Sequence, residues 1–181
     1  MAEDDKKREK SLLEVRKIFD EAGLPFVLHT STALGVYRDQ KLLGLAEVAF
    51  LAEDFYGDVE KKVLANPQCS IGSNRQKEKY CMLYMDIAAA NGNRLECHAM
   101  YKNDKWAYQN LIEDRCLIWP VEMFKRENWG KIEFMGYEWN IPGDIENYLA
   151  FYFGPDWKTP DNSWNWHNAK SIRTWGEFEK W

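Results

Sequence analysis

The chain has 181 residues, of which 45% are hydrophobic and 29% charged, with a formal net charge of -5. This length suits one domain, or one domain with a small appendage. The acidic balance argues against a nucleic-acid backbone as the main partner, because such proteins usually display a basic face, but it leaves room for a nucleotide. The four cysteines form no C-x-x-C pair, which argues against a structural zinc site. With no secretory signal and no apolar run of membrane length, we expect no membrane span and a cytoplasmic setting.

Hydrophobic periodicity and turn residues divide the chain into short helices and strands. Leu12, Val15 and Phe19 fall on one face at helical spacing, and Gly23 then ends that helix. In chain order, the pattern predicts a helix over 4–22, a strand over 26–29, a short helix up to Arg38, a strand over 45–51, a helix over 56–65, strands over 68–73, 79–88, 94–101, 130–134 and 137–141, and a helix over 143–153.

This order predicts an α+β fold with a mixed β-sheet and helices packed on one face. The tail after residue 155 contains five tryptophans together with proline and asparagine. Its composition indicates a segment that wraps over the domain more than a domain of its own. We therefore predict one domain over 1–160 and a C-terminal extension over 161–181 that packs on it.

The stretch from Ser31 to Arg38 reads STALGVYR and follows a predicted strand. A turn that starts a helix presents unpaired amide groups, which bind anions, and the hydroxyls of Ser31 and Thr32 add donors. Arg38 follows by nearly two helical turns and can lie beside the same phosphate. On this local evidence alone, the favoured interpretation is Thr32 as a helix cap and Arg38 as a surface ion pair, because helix caps are far commoner than phosphate sites.

Two acids occupy apolar strands near this turn. In the strand over 45–51, Glu47 and Ala49 share one face and Ala46 lies on the other, since alternate residues share a face. Asp86 is a lone acid within LYMDIAA, and a charge there needs a partner or a metal. The two acids predict a Mg²⁺ or Mn²⁺ site. The alternative is that Asp86 sits at a strand end and bonds to backbone.

Three motifs together resemble the LicD and fukutin-related family of the nucleotidyltransferase superfold. They are STALGVYR at 31–38, FMGYEWNIP at 134–142 and YFGPDWKTP at 152–160. The likeness runs from about residue 11 to residue 160, and the motifs keep the family's order along the chain.

The resemblance implies a nucleotidyltransferase-like fold and a metal-dependent transferase that uses a nucleotide-activated donor. Relatives move phosphocholine or a sugar-alcohol phosphate to a glycan hydroxyl, and others in the superfold transfer the nucleotidyl group itself. The resemblance assigns donor phosphate to Ser31 and Thr32, metal to Glu47 and Asp86, and developing charge to Arg38. Trp157 and Lys158 are then candidates to line the donor site.

The sequence departs from the family at the acidic strand. The family's acid-x-acid pattern reads Glu47-Val-Ala49 here, and Ala46 also stands where an aspartate is often found. Ala46 and Ala49 are therefore further ligand positions on the hypothesis that they replace Asp, whether naturally or by engineering. Three functions stay open: an active transferase, an inactive module that binds a nucleotide or glycan, and a nucleotidyltransferase that modifies a macromolecule.

The three histidines are predicted to be structural. His29, His98 and His167 show no ligand spacing that links them, and no Ser-His-Asp or Cys-His arrangement stands out. His29 is the one that lies beside the proposed phosphate turn.

Overall fold

The computed structural model describes residues 2–74, 83–88, 94–111 and 114–180, with the backbone alone for 2–3, 72–74, 83–88 and 94. The helices are α1 (Ala2–Ala22), α2 (Thr30–Leu34), α3 (Ala52–Phe55), α4 (Asp58–Leu64), α5 (Ile145–Phe153) and α6 (Trp175–Phe178). The strands are β1 (Val27–Leu28), β2 (Ala46–Leu51), β3 (Cys69–Asn74), β4 (Leu83–Ala88), β5 (Arg94–Lys102), β6 (Trp106–Asn110), β7 (Arg115–Pro120), β8 (Gly130–Phe134), β9 (Tyr137–Ile141) and β10 (Ile172–Thr174).

Eight of these strands form one mixed sheet. The order runs β1-β2-β5-β6-β7-β10, while β4 also pairs with β5 and β3 pairs with β4. Only the β2–β5 pair is parallel among the described strands; the other pairs are antiparallel. The predicted α+β fold with a mixed sheet is confirmed.

The hydrophobic core lies between the sheet and the helices. The α1 residues Leu12, Val15 and Phe19 are fully buried, as the helical periodicity predicted. Helix α1 packs against β2 and β5, which fixes the parallel strand pair from one side. Within the described residues, no helix has both the length and the apolar character needed to cross a bilayer.

Most predicted elements are confirmed, and the differences have local causes. The hairpin β8–β9 matches its prediction to the residue. The predicted helix over 56–65 begins later, at Asp58, because Gly57 before it has a φ of 91°, a value that glycine adopts without strain. The predicted turn at 91–93 lies outside the described residues.

The largest omission of the sequence-based prediction is the far half of the sheet. Strands β6, β7 and β10 were not predicted, because their mixed composition gives no clear alternation. Strand β10 comes from the predicted wrapping segment and pairs antiparallel with β7. The C-terminal segment therefore contributes an edge strand to the main sheet as well as covering it.

The cysteines that the structure describes are not in disulfide bonds. Cys69, Cys97 and Cys116 are buried, and burial raises the pKa of Cys69 to about 11 and that of Cys116 to about 12. These values keep both thiols protonated and unreactive near neutral pH. Cys81 lies outside the described residues.

Candidate active site

Two carboxylates and an imidazole meet on the parallel strand pair. In the register of β2 and β5, Glu47 lies across from Glu96, and Ala49 lies across from His98. Because paired positions share a face of the sheet, Glu47, Glu96 and His98 converge. One ligand atom from each lies within 4.8 Å of the other two, so the group has the dimensions of a metal site.

The next strand extends this row of acids. Asp86 of β4 is the register partner of Glu96, so positions 47, 96 and 86 are neighbours across three strands. The side chain of Asp86 lies outside the described part of the chain. Its role as a metal ligand therefore stays a prediction.

The turn at Ser31 and Thr32 is tied to Glu47. The amide of Ser31 donates to Glu47 Oε2 at 3.1 Å, and the Ser31 hydroxyl donates to the same oxygen. The Glu47 amide donates to Thr32 Oγ1 at 2.7 Å, and Thr32 is fully buried. The Thr32 hydroxyl thus links the turn to β2, while the partly exposed Ser31 contacts Glu47 directly.

Thr30 begins this turn in a conformation that is uncommon for threonine. Its φ is 38°, and its amide donates to the hydroxyl oxygen of Tyr148 at 3.0 Å. Strained backbone of this kind persists only when surrounding contacts hold it, and it clusters at functional sites. Tyr148, on α5, is the contact that holds Thr30 here.

Arg38 has its donors engaged within the protein. Its guanidinium binds Asp39 through Nε at 3.0 Å and Nη2 at 2.8 Å, and Nη1 donates to the Trp157 carbonyl at 2.8 Å. The hydrogen bond from Arg38 holds the pKa of Asp39 below its usual value. These contacts give Arg38 the role of anchoring the YFGPDWKTP segment beside α2; charge stabilisation by Arg38 stays a prediction.

Gly35, in the STALGVYR motif, is required by a close approach. A Cβ atom at this position would lie 2.4 Å from the Lys41 carbonyl oxygen. Gly35 begins a single π-helical turn, Gly35–Asp39, that follows α2. The motif glycine is thus explained by packing of the loop that leads to β2.

A cleft of about 590 Å³ opens beside this cluster. Ser31 belongs to both features, since it lines the cleft and binds Glu47. The remaining lining comes from the end of α2, the following loop and the C-terminal segment: Leu34, Arg38, Leu43, Gly44, Phe153, Gly154, Pro155, Asp156, Trp157, Thr159, Pro160, Asp161, Asn162, Trp164 and Lys170.

Of the two predicted donor-site residues, only Trp157 lines the cleft. Lys158 forms an exposed ion pair with Glu146 at 2.9 Å, and its ammonium lies 5.2 Å from the Trp157 ring centre. Lys170 lines the cleft instead and, among the described residues, makes no ion pair. The Trp164 indole nitrogen is buried and has no hydrogen-bond partner in the described part of the chain.

His29 and His98 are neighbours in space, although their spacing along the chain does not link them. Their ring centres are 5.4 Å apart, and Gln109 of β6 bridges them by hydrogen bonds of 3.0 and 2.6 Å. Burial lowers the pKa of His29, which keeps its imidazole neutral. His167 stacks on Trp166 with ring centres 3.7 Å apart.

The two alanines of β2 occupy different surroundings. Ala49 is fully buried on the face that carries Glu47, beside His98. Ala46 pairs with Leu95, and the alternation of the strand places it on the opposite face. An aspartate at 49 would therefore join the cluster, whereas one at 46 would extend from the other side of the sheet.

The sequence-based reasoning missed Glu96, His98 and Lys170. Glu96 and His98 alternate on a predicted strand, in the same way as Glu47 and Ala49, so an acid-x-histidine pattern was present. This pattern indicates a site only when it is combined with the parallel pairing of β2 with β5, which brings Glu96 and His98 next to Glu47. No sequence signal distinguished Lys170 from other exposed lysines.

The sequence as a whole matches a curated transferase. It is 21% identical over 169 residues to ribitol-5-phosphate transferase FKTN of Mus musculus, covering 91% of this chain and 36% of that protein. The chain thus spans little more than a third of the length of this relative. No family model matches the sequence.

Two solved structures share the architecture. The lincosamide antibiotic adenylyltransferase LnuA, bound to lincomycin, is similar with a TM-score of 0.53 at 12% identity, covering 83% of this chain and 95% of that one. The antibiotic-resistance factor ANT(2'')-Ia has a TM-score of 0.51 at 12% identity, covering 89% and 78%. These similarities show that the chain has a nucleotidyltransferase-type fold.

Proposed function

We propose that the chain is a divalent-metal-dependent transferase that takes a phospho group from a nucleotide-activated donor. The observation that carries this proposal is the meeting of Glu47 and Glu96 on adjacent parallel strands, next to a cleft that Ser31 joins to them. The nucleotidyltransferase-type fold and the fukutin match support the same class of reaction.

The residues of the cluster fit Mg²⁺ or Mn²⁺. Both ions prefer oxygen ligands, and Glu47 and Glu96 supply carboxylate oxygens at close range. Asp86, at the next position of the row, is the further ligand that we propose. A cation bound there supplies positive charge against the phosphate oxygens of the donor.

The cleft has the features that a nucleotide requires. Trp157 and Trp164 offer aromatic surface for a base or sugar. The Lys170 ammonium supplies positive charge for phosphate. We propose these residues, with Ser31, as the donor-binding surface, and Lys158 as a more distant contributor.

The transferred group follows from the resemblance and from the relative's name. A sugar-alcohol phosphate such as ribitol phosphate, or phosphocholine, is the group that we propose, with a glycan hydroxyl as acceptor. Nucleotidyl transfer to another acceptor, including a macromolecule, is the alternative that the adenylyltransferase neighbour suggests. Both reactions require the same metal and donor site.

One observation favours a second function, an inactive module that binds a nucleotide or glycan. Position 49, which faces the cluster, carries a methyl group where an acid-x-acid strand carries a carboxylate. Loss of a ligand weakens metal binding and with it the reaction, whereas the cleft does not depend on that carboxylate.

Thermal unfolding with and without Mn²⁺ separates these functions. CTP, UTP, ATP, CDP-choline and sugar nucleotides are added in turn, and a ligand at 100 times its Kd stabilises the protein by about 2.7 kcal/mol. A shift that requires Mn²⁺ supports the transferase. A shift of the same size with and without Mn²⁺ supports the binding module. If no nucleotide shifts the unfolding temperature, the result contradicts both the transferase and the binding module.

A further inference from the structure

We infer that His98 is a positioning residue and not a metal ligand, because a buried hydrogen-bond relay that starts at the Thr30 amide fixes the hydrogen of its imidazole on Nε2, the nitrogen that lies near Glu47 and Glu96. This inference specifies which residues bind the metal in the proposed function, and it therefore rests on that function. The relay itself consists of Thr30, Tyr148, His29, Gln109 and His98, all of which are buried.

The direction of the relay is set at the Thr30 end. A backbone amide can only donate, so the Thr30 N–H makes the Tyr148 oxygen an acceptor at 3.0 Å. The Tyr148 hydroxyl is fully buried and needs an acceptor for its own hydrogen, and His29 Nδ1 lies 2.8 Å away. Tyr148 therefore donates to His29 Nδ1, and the neutral His29 ring carries its hydrogen on Nε2.

The direction then passes through Gln109. The His29 Nε2–H group donates to Gln109 Oε1 at 3.0 Å, so the amide nitrogen of Gln109 faces the other histidine. That nitrogen lies 2.6 Å from His98 Nδ1 and donates to it. The lone pair on His98 Nδ1 is thereby used as an acceptor, so the ring hydrogen of His98 is on Nε2.

The last atom of the relay, His98 Nε2, lies near two negatively charged side chains. His98 Nε2 lies 3.6 Å from Glu96 Oε2 and 3.9 Å from Glu47 Oε1. These separations exceed hydrogen-bond length, so the contact is electrostatic, and a hydrogen on Nε2 is favourable beside two carboxylates. The donor amide at one end of the relay and the carboxylates near the other end therefore favour the same direction of hydrogen bonding along it.

A metal bound to His98 Nε2 would require the opposite direction. Ligation uses the nitrogen lone pair, so the hydrogen would have to move to Nδ1 and the Gln109 amide would have to turn over. His29 would then carry its hydrogen on Nδ1, and the Tyr148 hydroxyl would lose its present acceptor inside the core. The relay therefore opposes imidazole ligation and leaves an oxygen-only ligand set, which suits Mg²⁺ and Mn²⁺ more than Zn²⁺.

Nitrogen NMR of the full chain, labelled with ¹⁵N-histidine, tests the assignment. The ring nitrogen shifts report which nitrogen carries the hydrogen, and His167→Asn removes the third histidine from the spectrum. We expect Nε2–H forms for both His29 and His98 without metal, and the same form for His98 at saturating Mg²⁺. An Nδ1–H form of His98, before or after Mg²⁺ is added, overturns the inference.

The substitution Gln109→Glu provides an independent test. A carboxylate there accepts from both imidazoles, which moves the His98 hydrogen to Nδ1 and frees Nε2 as a ligand in a carboxylate–histidine–metal arrangement. We expect the Zn²⁺ affinity, measured by calorimetry, to rise by roughly 10-fold or more. Asn110→Asp adds the same charge one residue away, outside the relay, and we expect no such rise.

The failures of the two ideas are distinguishable. If neither Mg²⁺ nor Mn²⁺ binds, the proposed function fails. The NMR result without metal still shows whether the relay has the inferred direction. If wild-type protein binds Zn²⁺ as tightly as Gln109→Glu does, with a Zn²⁺-dependent shift at His98 Nε2, the inference is wrong and the metal site stands. Should Gln109→Glu not fold, the wild-type NMR result decides alone.

Discussion

Ala49 and His98 face each other across the one parallel strand pair in the described sheet. The residue that lacks a carboxylate on β2 is thus the direct neighbour of the imidazole on β5. Positions 49 and 98 lie on the same face of the sheet as Glu47 and Glu96, so the side chain at position 49 borders the acid cluster. The relay behind His98 determines what this imidazole can offer.

The first prediction concerns Glu96, which the sequence-based reasoning did not select. We expect Glu96→Gln to weaken Mn²⁺ binding by at least about 10-fold, because it removes the charge of one of the proposed carboxylate ligands. Electron paramagnetic resonance of free Mn²⁺ measures the affinity. Glu133→Gln, at an exposed position of β8, makes the same chemical change away from the cluster, and equal affinities for the two variants would contradict the metal site.

The second prediction separates the two alanines of β2. Without metal, Ala49→Asp should lower the melting temperature, because it buries a carboxylate near two others. With Mn²⁺, we expect a larger rise in melting temperature than in wild type, since the new carboxylate joins the cluster. Ala46→Asp is the matched control on the opposite face; a metal-dependent gain there, and none at 49, would refute the assignment of faces.

The third prediction compares two lysines of the C-terminal segment. Lys170 lines the cleft, so Lys170→Gln should weaken nucleotide binding by roughly 5-fold, which corresponds to about 1 kcal/mol for one exposed charge pair. Lys158 lies outside the cleft lining and pairs with Glu146, so Lys158→Gln should change the affinity for the nucleotide little. Calorimetry with the nucleotide found by thermal unfolding measures both, and the reverse ranking would support the sequence-based choice of Lys158.

The fourth prediction follows from the lowered pKa of Asp39. A carboxyl whose pKa is lower in the folded than in the unfolded chain adds stability above its unfolded pKa, and this stability disappears as the pH falls through its folded pKa. We therefore expect Asp39→Asn to lower the free energy of unfolding by about 1 kcal/mol or less at neutral pH. The difference should vanish in strongly acidic solution. Urea unfolding across the pH range measures it, and a difference that grows with acidity would be the wrong sign.

The fifth prediction tests the reason for the glycine in STALGVYR. Gly35→Ala should destabilise the protein by roughly 1–3 kcal/mol, because the new methyl group meets the Lys41 carbonyl. At Gly176 in α6, an added Cβ meets nothing within 4 Å, so Gly176→Ala should be neutral or slightly stabilising. Urea unfolding of the two variants measures the contrast, and equal effects would remove the packing explanation.

The sequence by itself determined the elements whose signals are local. The apolar stripe of α1, the turn at Met135 and Gly136 between β8 and β9, and the alternation around Glu47 each follow from residues close together in the chain. The same local patterns selected Ser31, Thr32 and Glu47, which do meet in space.

Tertiary structure alone decided which distant residues complete the site. Glu96 lies beside Glu47 because β2 and β5 pair in parallel. The spacing of residues along the sequence does not show which strands far apart in the chain will pair. Likewise, Gln109 links two histidines that lie 69 positions apart only because β6 brings it between them. The direction of that hydrogen-bond relay, and with it the chemistry of His98, depends on a single backbone amide at Thr30 that no sequence pattern marks.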